Sequence, residues 1–187
     1  MNPYIFEYKS LAISWFIVLS ILSIGLGYIF SKKELIGILS KEKIDNLTLK
    51  LIIGGFIGAR IYYALANWQF YVDNYLSIFH ISHLTLNFKG ALILASGILY
   101  LTSRREDISF EKLLAIYIQA ITLGLIIGVW SHYFDNLLTY LESLTFSILF
   151  VLVMFLEIII KDRMKSYKVI SGVFFLVYLL LEFYYGV

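Results

Sequence analysis

Apolar runs of bilayer length alternate with short polar clusters along the whole chain, and this pattern predicts about six transmembrane helices, over residues 11–30, 47–66, 88–101, 113–130, 144–160 and 169–185. The run over 88–101 is the shortest and is marginal for the thickness of a hydrocarbon core. Residues 32–50 hold five lysines against Glu34, Glu42 and Asp45; Arg104 and Arg105 follow the third run; Lys161, Arg163, Lys165 and Lys168 follow the fifth. These cationic clusters fall on alternate loops, which places them in the cytoplasm and predicts that both termini lie outside it. Residues 67–87 contain no Lys or Arg and are rich in aromatic side chains, among them Trp68, Phe70, Tyr71, Tyr75 and Phe79. They read as short helices lying at the outer interface.

Composition agrees with this pattern. Apolar residues make up 60% of the 187, and the mean hydropathy is +0.84, more apolar surface than a soluble domain of this size encloses. The chain contains no cysteine, which excludes disulfide and thiolate chemistry of its own. A net charge of +2 without a basic face argues against nucleic acid as a partner. The one proline, Pro3, precedes the first run, so no proline kink is expected within a span. The first run is too long for a signal-peptide core and lacks a basic leader, so it is expected to stay as a helix. No repeat or linker divides the chain, which reads as a single transmembrane domain.

Polar groups inside or beside the spans are the candidates for chemistry, because a polar group in hydrocarbon must be paired or hydrated. Arg60 interrupts LIIGGFIGARIYYALA, where Gly54, Gly55, Gly58 and Ala59 allow close backbone approach. It is either a boundary residue reaching for the headgroups or the holder of an anion such as a lipid phosphate. Lys89 opens the third run and has the same two readings. If the two cations meet, an anionic headgroup between them, or a carboxylate from Glu142 or Asp135, would offset their repulsion. His80, His83 and His132 lack a metal-binding spacing, and neither metal nor cofactor is expected. Glu157 and Glu182 lie in apolar surroundings near helix ends, and Gly124 and Gly128 form a small-residue packing face. No phosphate-binding glycine loop, serine elbow or zinc-protease helix is present.

In order along the chain, Ile13-Ser14-Trp15-Phe16, Asp45-Asn46-Leu47 leading into GGFIGARIYYAL, and LNFKGALI at 86–93 resemble segments of the prolipoprotein diacylglyceryl transferase family. SRREDISFEKLLAIYIQAITLGLIIGVWSHYF, Tyr140-Leu141-Glu142 and SGVFFLVYLLLEF at 171–183 continue the resemblance. The family consists of bacterial membrane enzymes that move a diacylglyceryl group from phosphatidylglycerol to the lipobox cysteine of a prolipoprotein. The resemblance implies an all-α, polytopic membrane bundle of that type in a bacterial cytoplasmic membrane. It also implies an anionic phospholipid such as phosphatidylglycerol as partner, with Arg60, Lys89, Glu142 and Tyr133 around its headgroup and Lys89 and His132 at the catalytic positions.

Several of the family's signature positions are replaced. Lys89 stands for its histidine, Val129 and His132 for an arginine and an asparagine, Ala115 for an aspartate and Glu182 for a second arginine. Most of the region between the family's fourth and fifth helices, which forms an extracytoplasmic head, and its last helix are expected to lack a counterpart in this sequence. The expectation is a phospholipid-binding relative with altered or lost transfer activity. The alternative is a non-catalytic membrane scaffold or a subunit of a larger membrane assembly.

Overall fold

The computed structural model describes residues 2–8, 11–73, 75–80 and 82–185. It opens on an antiparallel hairpin of β1 (Tyr4–Tyr8) and β2 (Leu11–Ser14), in which Tyr8 pairs with Leu11 and Phe6 with Ile13. Among the described residues seven α-helices follow: α1 (Trp15–Leu35), α2 (Lys41–Ala66), α3 (Phe88–Glu106), α4 (Phe110–Gly128), α5 (Trp130–Phe134), α6 (Tyr140–Ile159) and α7 (Tyr167–Tyr185). The chain is a multi-pass helical membrane protein, all-α apart from that hairpin.

The expected count of six spans is corrected. Among the described residues four helical stretches are long and apolar enough to cross a membrane: Trp15–Leu35, Lys41–Ala66, Phe110–Phe134 and Tyr140–Met164. Helix α3 forms where the third run predicts it, but Lys89 near its start and Arg104, Arg105 and Glu106 at its end leave too short an uncharged stretch between them. Helix α7 coincides with the sixth run but is not among these four stretches. The first span begins at Trp15 instead of residue 11, because residues 11–14 pair with the aromatic strand YIFEY. There the Ser14 hydroxyl accepts the Ile17 amide at 3.4 Å, in the manner of an N-cap.

The chain divides into two compact units, Ile36–Phe110 and Met1–Leu35 with Glu111–Val187. The first is built on α2 and α3. Ser40 caps α2 by accepting the Lys43 amide, which starts the helix before the apolar run does. The helices run antiparallel: Gly58 faces Gly90, Gly54 faces Ile98, and Lys43 pairs with Glu106 at 2.6 Å near the far end. A Cβ on Gly58 would lie 2.4 Å from the Gly90 carbonyl oxygen, and one on Gly90 would lie 2.2 Å from that of Gly58. Only hydrogen fits between these two backbones.

In the second unit α1 packs along α4, with Ala120 against Gly27 and the Ser23 hydroxyl donating to the Gly124 carbonyl at 2.9 Å. Helix α6 returns antiparallel to α4, held by Ser147 donating to the Ile126 carbonyl at 2.8 Å and by Thr122 donating to Glu157 at 3.1 Å. Val129, Phe146 and Phe150 form an apolar cluster against which Leu125, Trp130 and Leu181 pack. At the cytoplasmic ends predicted from charge, Lys161 pairs with Glu34 and Lys168 with Glu111.

Candidate headgroup site at the α2–α3 crossing

The Gly58–Gly90 contact determines what surrounds Arg60. Ala59 and Arg60 follow Gly58 directly on α2, and the Ala59 carbonyl accepts the Asn87 amide at 3.1 Å. Asn87 caps α3 by accepting the Lys89 amide at 2.9 Å, and Gly90 packs against Gly58 and the Tyr62 Cβ. Lys89 thus lies between two residues that touch α2 on either side of Arg60, and its side chain is half-buried. Of the headgroup candidates, Arg60 and Lys89 are brought to one crossing.

Arg60 is 7% exposed. Its guanidinium donates from Nε to the Ile78 carbonyl at 2.9 Å and from Nη1 to that of Thr85 at 3.2 Å. Its Nη2 donates to the carbonyls of Ser77, Ile78 and His80 at 3.3, 2.7 and 3.0 Å. Tyr63 and Tyr71 present their rings to the guanidinium carbon at 5.8 and 5.5 Å. All these acceptors are main-chain oxygens of residues 77–85, so the arginine ties the segment between α2 and α3 to the end of α2. The carbonyls solvate the charge without neutralising it, and among the described residues no carboxylate pairs with it. This role has no signature in the sequence, because main-chain acceptors are present whatever the side chains are.

The other candidates lie in the second unit. Glu142 occupies the first turn of α6 in a capping box: its Oε2 accepts the Thr139 amide and the Thr139 hydroxyl, both at 2.8 Å, while its own amide donates to the Thr139 hydroxyl at 3.3 Å. The pattern T-x-x-E before an apolar run is the signal for this role. Tyr133 stands edge-on to Trp130, Phe134 and Tyr140 with ring centroids 5.4–6.0 Å apart, and Trp15 stacks on Phe134 at 4.4 Å. The His132 carbonyl accepts the amides of Leu137 and Leu138 as the chain turns out of α5. Val129 lies in the apolar cluster with Phe146 and Phe150, and Ala115 is fully buried on α4. Neither position can offer a phosphate a hydrogen bond from its side chain.

The family model for prolipoprotein diacylglyceryl transferase matches residues 3–140, which include the hairpin, the α2–α3 crossing and the Arg60-bound segment. The chain belongs to the prolipoprotein diacylglyceryl transferase family. Its relatives include the phosphatidylglycerol-prolipoprotein diacylglyceryl transferase of Shouchella clausii, 29% identical over 128 residues that cover 67% of this chain and 46% of that protein. Those of Streptococcus suis and Finegoldia magna are 30% and 28% identical over 73% of this chain and cover 51% and 55% of their own lengths. The chain therefore spans about half the length of these transferases. Helix α7 and nearly all of α6 lie beyond the matched residues, and Arg60, Lys89, His132 and Tyr133 within them.

Proposed function

We propose that this member of the prolipoprotein diacylglyceryl transferase family binds an anionic phospholipid, phosphatidylglycerol in the first instance, and that its transferase activity is altered or lost. The observation that carries the reading is the uncompensated charge of Arg60 at the crossing that also seats Lys89. Two cations held at one end of a helix pair draw a phosphate, and Lys89 adds ammonium donors beside it. Diacylglyceryl transfer demands more. A thiol must attack the glycerol carbon while the phosphate is held as leaving group and a proton is removed. An ammonium at position 89 donates hydrogen bonds but accepts no proton, and Val129 supplies no second phosphate grip. In this reading Lys89 holds the headgroup with the buried charge of Arg60 beside it and occupies a catalytic position with different chemistry, while the roles of Tyr133, Glu142 and His132 rest on the family resemblance alone. The protein is then a multi-pass component of a bacterial cytoplasmic membrane with both termini outside.

A second reading, a non-catalytic scaffold or subunit of a membrane assembly, is favoured by the commitment of the polar groups to structure. Glu142 is tied into its cap, and Arg60 into the carbonyls of 77–85. Native mass spectrometry of protein extracted in nanodiscs separates the two, with phosphatidylglycerol compared against phosphatidylcholine in wild type and Lys89→Gln. Selective retention of phosphatidylglycerol that weakens in the variant is expected, and transfer to a lipobox peptide can then be assayed. Equal retention of both lipids in both proteins overturns the headgroup reading and leaves the scaffold.

A further inference from the structure

Residues 67–87 combine two properties that seldom occur together in a loop. Apart from the buried Tyr71, several of their large apolar side chains face outward: Phe70, Leu76 and Phe79 are each more than three-quarters exposed, and Trp68, Tyr75 and Leu84 are about half exposed. At the same time much of their described main chain is hydrogen-bonded within the protein. Turns of 3-10 helix form at Trp68–Phe70, Tyr75–Phe79 and His83–Thr85, and Ser82 and Thr85 close a capping box on the last. The carbonyls of Ser77, Ile78, His80 and Thr85 accept from Arg60.

In water this would be a poor arrangement, since so many outward apolar groups would be hydrated while solvent could serve the backbone without help. At a lipid boundary it makes sense. Backbone groups there need partners within the protein, and aromatic side chains prefer the headgroup level. The segment contains no Lys or Arg, and it begins and ends beside the same end of the antiparallel pair, leaving α2 at Asn67 and entering α3 at Asn87.

We propose that the described residues within 68–84 form a membrane-surface insertion element. Phe70, Leu76 and Phe79 seat in the headgroup and upper acyl layer of the leaflet opposite the lysine-rich loops, and Arg60 is the internal latch that supplies the carbonyls with donors and sets the depth. The occupant of this face is the bilayer itself, and the inference does not depend on selectivity for any lipid.

The absence of native cysteine permits a direct test in the full chain. Single cysteines at positions 70, 76 and 79 are spin-labelled, the protein is reconstituted in phosphatidylcholine vesicles, and collision with oxygen is compared with collision with a water-soluble nickel chelate. Position 42, in the exposed first turn of α2, is the aqueous control. The expected result is a several-fold excess of oxygen over nickel collision at all three sites relative to the control. Nickel collision equal to the control places the segment in water and overturns the proposal. Shielding from both reagents means protein contact and overturns it too. For the latch, the same labels are read in Arg60→Lys and Arg60→Gln variants whose circular dichroism shows intact helices. Movement toward the nickel reagent, greater in Gln than in Lys, is expected, and an unchanged depth in both refutes the latch. The depth readings in the otherwise native chain stand whether or not the Arg60 variants fold.

Discussion

Replacing Gly58 with alanine should separate α2 from α3. The added Cβ would lie 2.4 Å from the Gly90 carbonyl oxygen and 2.7 Å from the Leu94 Cβ, about 1 Å inside ordinary contact. The nearest obstacle is backbone, which cannot rotate away as the end of a side chain does, so the helices must part. Overpacking of this kind destabilises by about 1–3 kcal/mol, against which alanine recovers at most about 1 kcal/mol of helix propensity. Gly97→Ala on α3 meets nothing within 4 Å and keeps the propensity gain alone. The two variants should therefore differ by roughly 2 kcal/mol, with Gly90→Ala resembling Gly58→Ala. Because the two glycines face each other, the double variant should lose less than the sum of the singles. Equilibrium unfolding in mixed micelles of increasing denaturing-detergent fraction, followed by circular dichroism, reads the difference. If Gly58→Ala unfolds within about 0.5 kcal/mol of Gly97→Ala, the close crossing is refuted.

Other substitutions probe the remaining features. Arg60→Lys keeps the charge but not the forked donors, so cleavage by an added protease within residues 75–85 should rise several-fold in the variant; equal cleavage would show that the carbonyl bonds do not order the segment. Thr139→Ala removes the hydroxyl half of the α6 capping box and leaves the residue-139 amide to donate to Glu142; it should destabilise by about 1 kcal/mol in the same unfolding assay, and no change would mean that the main-chain half suffices to start the helix. Glu157→Leu should be neutral or stabilising by about 1 kcal/mol, because a fully buried carboxyl with one oxygen unpartnered among the described residues is exchanged for an apolar side chain while Thr122 keeps its bond to the Ile118 carbonyl. A loss of about 2 kcal/mol would instead make Glu157 a structural requirement.

Much of the helical layout is legible in the hydrophobic pattern, since α2, α4 and α6 coincide with long apolar runs. Their ends are less so. Helix α2 starts six residues before the apolar run, because Ser40 caps a charged first turn that a hydropathy argument assigns to the loop. The hairpin escapes because its second strand, Leu11–Ser14, is as apolar as the helix it leads into, and only pairing with Tyr4–Tyr8 separates them. At the candidate site the small residues around Gly58 announce a close approach, but nothing in that stretch names Gly90 as the partner. Arg60 stands out as a charge in an apolar run, whereas its acceptors are invisible from sequence. Glu142 is the opposite case: T-x-x-E identifies its cap, while an argument from charge alone directs it toward a cation.

The Arg60 latch bears on how this segment can change over evolutionary time. An arginine that grips main-chain oxygens is indifferent to what Ser77, Ile78, His80 and Thr85 carry as side chains, since every residue type, proline included, presents the same carbonyl. The spelling of the segment can drift while its length is held. Removing or adding one residue between Ser77 and Thr85 shifts the register of the oxygens and releases the grip. Among descendants of this chain, substitutions should accumulate freely at these positions, while insertions and deletions should be purged from the interval they bound.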